Sequence, residues 1–200
     1  HISAKFPRIA WAGQTDFTAE IWVNNSVDSI ESSRVLIQLL DINGNTCYES
    51  IYDDLNFAPN TTTSVTEIQV SLDNIASDVF FLNIWLASGE TLSHNRYSIT
   101  QGTNLRPLLE VPQTQLSINR QQSDNFDHLT ITNVGEHAAL FIWLEDAHSV
   151  QSNNYVYWED NHFCLMPQET RHITGIWEDT PIDNRMIQVQ AWNTEQWSEI

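Results

Sequence analysis

The sequence predicts an all-β fold built as two immunoglobulin-like β-sandwich domains in tandem. Apolar residues recur in short alternating runs such as Phe17, Ala19, Ile21 and Val23, the period of a strand with one buried face. The runs are broken by Asn, Asp, Gly, Ser and Pro. No stretch of a dozen residues shows a helical period.

In the first half, Phe17–Val23 gives one strand, and Val35, Ile37 and Leu39 form the face of a second. Asn43-Gly44 supplies a tight hairpin turn, because both residues tolerate positive φ. The return strand is Thr46–Tyr52, followed by a polar loop over Asn56–Thr62 and a strand at Val65–Val70. Val79–Ala87 is almost continuously apolar, as a central strand should be, and Gly89 turns it into a last strand, Thr91–Ile99. Six or seven strands in a segment of this length match the proportions of an immunoglobulin-like sandwich. The first domain is thus expected over 1–100 and a polar, Pro-terminated linker over 101–107. The second sandwich, over 108–200, repeats the theme with strands at Gln115–Asn119, His128–Asn133, Ala138–Glu145, Tyr155–Trp158, His162–Met166, Thr170–Trp177 and Arg185–Trp192. Asn133–Glu136 and Pro167-Gln168-Glu169 read as turns.

Composition narrows the function. At 41% hydrophobic and 10% aromatic the chain is rich enough in core-forming residues to fold. The net charge of −18 repels phosphate backbones and anionic lipid, so nucleic acid is excluded as a partner, and no apolar run reaches membrane-spanning length. The same charge serves solubility or a cationic ligand such as a partly deacetylated amino-sugar polymer. Cys47 and Cys164 lie in different halves, read as packed thiols and leave the compartment open. The chain opens on His1-Ile2-Ser3 with no signal peptide ahead of it, the expectation for an excised piece of a longer polypeptide.

Motifs that carry chemistry are sparse. The seven histidines form no HxH or HExxH spacing, and there is no CxxC and no GxSxG, so neither a metal site, a cofactor nor a serine nucleophile is expected. Asp53-Asp54 and Asp124–Asp127 lack the spacing of a calcium loop. Glu145-Asp146, Glu159-Asp160 and Glu178-Asp179 are the candidate carboxylate pairs for glycoside hydrolysis, but neighbours on a strand point to opposite faces and do not converge. Sequons occur at Asn24 and Asn60. Aromatics crowd the second half: Trp143, Tyr155, Tyr157, Trp158, Trp177, Trp192 and Trp197. They fill the thin core of a small sandwich or stack on sugar rings. A strand places Tyr155 and Tyr157 on one face and Trp158 on the other, and these three are the candidate sugar contacts.

Two motifs carry a family resemblance. The first is Phe80-Phe81-Leu82, Leu86, Gly89, Leu92-Ser93, Asn95 and Tyr97. The second is Asp160-Asn161, Phe163, Leu165, Pro167 and Glu169, with Arg171 opening the next strand. In this order they resemble the two β-sandwich domains that close the C-terminus of glycoside hydrolase family 2 enzymes of the β-mannosidase and exo-β-glucosaminidase branch. Asp41 and Asn43-Gly44, Ala138–Phe141 and Ala191-Trp192-Asn193 add to the likeness. Arg96 and Ser98 stand where the family carries an aromatic and Trp, and Gln168 stands where it carries Gly. The resemblance implies that the catalytic glutamates lie on an upstream barrel in the same polypeptide, which this chain would brace. The alternative reading is a carbohydrate-binding module that uses the second-half aromatics, with an oligo- or polysaccharide as its partner.

Overall fold

Alternating burial organises the strands of the computed structural model, which describes residues 1–6, 15–75, 77–101, 105–147, 155–195 and 198–199. The chain divides into two compact units, His1–Glu110 and Val111–Ile200. Among the described residues the regular elements are strands and short 3-10 turns.

The first unit holds β1 (Ile2–Lys5), β2 (Asp16–Asn25), β3 (Ile30–Asp41), β4 (Thr46–Phe57), β5 (Thr61–Ser71), β6 (Val79–Ser88) and β7 (Glu90–Thr100). They form a three-stranded sheet in the order β1-β2-β5 and a four-stranded sheet in the order β4-β3-β6-β7, all neighbours antiparallel. The inward faces of β2 (Phe17, Ala19, Ile21, Val23), β3 (Val35, Ile37, Leu39) and β6 (Phe80, Leu82, Ile84, Leu86) meet in one core. β6 is buried on both faces for most of its length, which is why its sequence is a nearly unbroken apolar run. At the β3–β4 hairpin, Gly44 takes φ 79°. The Asp41 carboxylate accepts hydrogen bonds from the Asn43 and Asn45 amides at 2.8 and 2.9 Å and locks that turn.

The second unit holds β8 (Leu116–Ser123), β9 (Phe126–Asn133), β10 (Ala139–Asp146), β11 (Tyr155–Trp158), β12 (Phe163–Leu165), β13 (Thr170–Glu178), β14 (Ile187–Gln190) and β15 (Ser198–Glu199). One sheet runs β11-β13-β9-β8 and the other β12-β10-β14-β15. Their inner faces supply Leu129, Ile131, Ile142, Leu144, Ile173, Trp177 and Val189 to a second core.

Four local features differ from the sequence reading. β1 and β15 are short edge strands, too brief for their alternation to stand out. The polar loop expected at Asn56–Thr62 is mostly strand: β4 and β5 extend into it, and Asn60, at φ 54°, makes the turn. Arg106–Glu110 is a 3-10 turn that continues past Pro107, while residues 102–104 of the expected linker lie outside the described residues. The strand expected at Arg185–Trp192 is shorter, Ile187–Gln190, because a 3-10 turn at Ile182–Asn184 precedes it.

Candidate functional site

The first motif sits on β6 and β7. Phe80, Phe81, Leu82 and Leu86 are fully buried, and Gly89 turns the hairpin at φ 74°, in the left-handed region that glycine enters without strain. Leu92 is half exposed. Ser93, Asn95 and Tyr97 alternate along β7 and so share one face, which meets the free edge of β1. Ser93 Oγ accepts from the Ile2 amide at 3.1 Å, Asn95 Nδ2 donates to the Ile2 carbonyl at 2.6 Å, and the Tyr97 hydroxyl accepts from the Ala4 amide at 3.0 Å. β1 uses its other edge to pair with β2. Three side chains therefore substitute for a missing neighbouring strand and tie the two sheets together at an edge that would otherwise offer open backbone groups. Arg96, between them, donates to Asn83 Oδ1 on β6 at 2.6 Å. Tyr97→Phe should strand the Ala4 amide and cost about 1 kcal/mol. Faster hydrogen exchange at Ala4 than at the β2-paired amides would report it.

The second motif organises the connection from β11 through β12 to β13. Asn161 acts as a one-residue strand partner: its Oδ1 accepts from the Leu144 amide at 2.9 Å and its Nδ2 donates to the Leu144 carbonyl at 3.0 Å. Asp160 accepts from the Asn161 amide at 2.7 Å and pairs with Arg171, whose guanidinium lies 4.8 Å above the Phe163 ring. Phe163 and Leu165 enter the core. Beyond them, Met166-Pro167-Gln168-Glu169 is a tight turn closed by the Glu169 amide on the Met166 carbonyl at 3.1 Å. The Glu169 carboxylate caps it by accepting from the Met166 amide at 2.8 Å.

Gln168 adopts φ 63°, the backbone region that explains why the resembled family places Gly at this position. A β-carbon there is strained, and Gln168→Gly should stabilise the unit by about 1 kcal/mol, less the extra chain entropy of glycine. A raised urea midpoint with an unchanged slope is the expected readout.

The candidate sugar contacts separate as the strand period requires. Tyr155 and Tyr157 point outward, 47% and 57% exposed, with ring centroids 4.9 Å apart in an edge-to-face contact. Trp158 faces inward and packs against the core. Its ring occupies the space over Gly175, where a β-carbon would fall within 2.5 Å of Trp158 Cζ3. Trp177 is a core residue, Trp192 is half exposed, and Trp197 lies outside the described residues.

The carboxylate pairs do not converge. Glu145 is on β10 and Glu178 on β13, in opposite sheets, and both are exposed on outer faces, so the thickness of the sandwich lies between them. Asp160 is engaged by Arg171, and Glu159 accepts from the Thr174 amide at 3.3 Å. Among the described residues no three His, Cys, Asp or Glu side chains group to hold a metal ion. Cys47 and Cys164 lie in separate units and are not joined by a disulfide.

Two polar centres escaped the sequence reading. Asp127, fully buried on β9, accepts a two-pronged ion pair from Arg120 at 2.8 and 3.1 Å and the Trp177 indole N–H at 2.6 Å. Asn133, also fully buried, donates to the Leu165 and His137 carbonyls at 3.0 and 2.8 Å. Its Oδ1 accepts from the Thr114 hydroxyl at 2.8 Å and the Gly135 amide at 3.1 Å. The turn composition of Asn133–Glu136 was visible in the sequence. The inward direction of the first side chain was not.

The comparisons agree with this architecture. The model for the exo-β-D-glucosaminidase Ig-fold domain matches residues 95–194, and that for the mannosidase Ig/CBM-like domain matches residues 18–101. No curated protein sequence matches the chain. Among solved structures, the exo-chitosanase CsxA of Amycolatopsis orientalis shares the fold with a TM-score of 0.70 at 14% identity, over 100% of this chain and 26% of that one. The β-D-mannosidase of Dictyoglomus thermophilum does so with a TM-score of 0.67 at 15% identity, over 98% of this chain and 22% of that one. The chain thus spans about a quarter of the enzymes it is similar to. With a family model matched in each half and the same tandem sandwiches in both enzymes, the chain belongs to the immunoglobulin-like domains of the glycoside hydrolase family 2 enzymes.

Proposed function

We propose that this chain is a non-catalytic accessory region of a larger family 2 glycosidase of the exo-β-glucosaminidase or β-mannosidase kind, where it packs against and supports the catalytic barrel of the same polypeptide. The observation that carries the reading is the scatter of its carboxylates. Hydrolysis of a glycosidic bond requires two carboxyl groups about 5–10 Å apart on rigid elements. Here Glu145 and Glu178 stand on opposite outer faces, and Asp160 is bound by Arg171. The other polar groups of the family motifs, Ser93, Asn95, Tyr97, Asn161 and Glu169, are occupied by backbone. Such groups hold a scaffold in shape.

The test is to incubate the chain with aryl β-glucosaminide and aryl β-mannoside. Release of the aryl group should not rise above that in buffer. Turnover abolished by Glu145→Gln, Glu159→Gln or Glu178→Gln would overturn the reading. The mass of the native polypeptide carrying this region is the second check. A band several times 23.0 kDa supports it, and a band near 23.0 kDa removes the barrel as a partner.

A further inference from the structure

The outer face of the β11-β13-β9-β8 sheet carries a row of exposed apolar side chains. Register places Tyr157 opposite Ile176, and Ile176 opposite Phe126, so the three cross adjacent strands in line. All are exposed: Tyr157 57%, Ile176 42% and Phe126 40%. Tyr155 lies two residues along β11 from Tyr157, directly opposite Glu178. With strands about 4.8 Å apart and a two-residue step of about 6.8 Å, the patch covers on the order of 100 Å². A stable protein interface buries about 800 Å² on each partner, so the patch is too small to be the centre of one and fits a small ligand.

The chemistry around the row narrows that ligand. The rest of the face carries hydroxyl and imidazole groups, including the Thr132–Thr170 pair at 2.8 Å and Thr130 with His172 at 3.1 Å. A flat apolar row beside hydroxyls matches a sugar, which presents a C–H face to aromatic rings and hydroxyls to polar neighbours. Charge supplies the remaining selectivity. In residues 111–200 the basic side chains are Arg120, Arg171 and Arg185, against thirteen Asp and Glu. All three arginines are engaged elsewhere: Arg120 with Asp127, Arg171 with Asp160, and Arg185 with the Thr180 carbonyl at 3.0 Å. The Tyr155 hydroxyl titrates above its usual range, first through its hydrogen bond with Tyr157 and further through the Glu178 and Asp179 carboxylates nearby. Two phenol rings beside a carboxylate suit an ammonium group, held by ion pairing and by the ring faces.

We propose that this face binds a cationic oligosaccharide, an oligomer of amino sugars, with its rings seated on Tyr155, Tyr157, Ile176 and Phe126 and an ammonium group received by Glu178. The site is independent of the accessory-region reading, since glycosidase assays test that reading and binding tests this one.

Calorimetric titration of the 200-residue chain with glucosamine oligomers at low salt should show saturable binding that weakens as salt rises. The Tyr155→Ala/Tyr157→Ala variant should lose at least tenfold in affinity. Glu178→Gln, nearly isosteric, should lose severalfold and flatten the salt dependence. Both replace exposed side chains, and an unchanged unfolding midpoint will verify the fold. N-acetylglucosamine oligomers, mannan oligosaccharides and a lysine tripeptide are the comparison ligands. The proposal is overturned by absent binding, by equal binding of any comparison ligand, or by binding that both variants retain in full.

Discussion

Asp127→Ala should destabilise the second unit by about 3–5 kcal/mol, the range for breaking a buried ion pair by removing one partner. The size follows from what is left behind. Arg120 loses both prongs of its pair yet keeps its position, where the Arg185 carbonyl at 3.4 Å is a neutral acceptor and no substitute for a carboxylate. The Trp177 indole N–H loses its acceptor within the core. A part-buried charge then lacks its counter-ion and a buried donor its carboxylate acceptor, which costs more than the pair contributed while intact. Two further variants separate these losses. Trp177→Phe removes a donor and not an acceptor of charge, and should cost about 1–3 kcal/mol including its lost volume. The double variant Arg120→Met/Asp127→Leu removes both charges and should be less damaging than Asp127→Ala alone. Urea unfolding of the three variants provides the comparison. A double variant that is worse than the single would mean that packing rather than charge pairing governs this end of the sandwich.

Asn133→Ala is expected to cost about 3 kcal/mol or more, because four hydrogen bonds of roughly 1 kcal/mol each end on one buried amide. Their partners come from three places in the second unit: the segment before β8, the turn into β10, and β12. Backbone bonds extend the same junction, since the Asn133 amide donates to the Glu169 carbonyl at 3.0 Å and its carbonyl accepts from the Gln168 amide at 2.8 Å. Asn133 therefore joins the Pro167–Glu169 turn to the Gly135 turn. The diagnostic variant is Asn133→Asp, which keeps the shape and the acceptor but loses both donors. It should destabilise nearly as much as Ala, because the Leu165 and His137 carbonyls would then face a carboxylate. If Asp is tolerated within a few tenths of a kcal/mol, the donors to those carbonyls contribute little, and the site acts through its acceptor alone.

These centres give a physical account of the family motifs. Ser93, Asn95 and Tyr97 close an edge, Asn161 stands in for a strand, and Glu169 caps a turn. Each hydrogen-bonds to backbone. Outward on the second unit stands the row from Tyr157 to Phe126, with Tyr155 and Glu178 beside it.

Period-two alternation and the punctuation by Asn, Gly and Pro settled, from the sequence alone, that the chain is made of strands, because side-chain direction on a strand depends only on local parity. The same parity separated Tyr155 and Tyr157 from Trp158, and the turn composition located Gly44 and Gly89. The sequence did not reveal which polar residues face inward among many similar ones. Asp127, Asn133 and Asn193 look no different from the surface Asp and Asn of an acidic chain. Their roles arise from partners between 2 and 81 residues away, such as the Pro112 carbonyl that receives Asn193 Nδ2 at 2.8 Å. β1 was hidden for the same reason: four residues carry little pattern, and the side chains that secure them come from β7, more than ninety positions later. Local conformation is written in neighbouring residues, whereas the satisfaction of buried polar groups depends on which distant segments the fold brings together, and only the tertiary structure decides that.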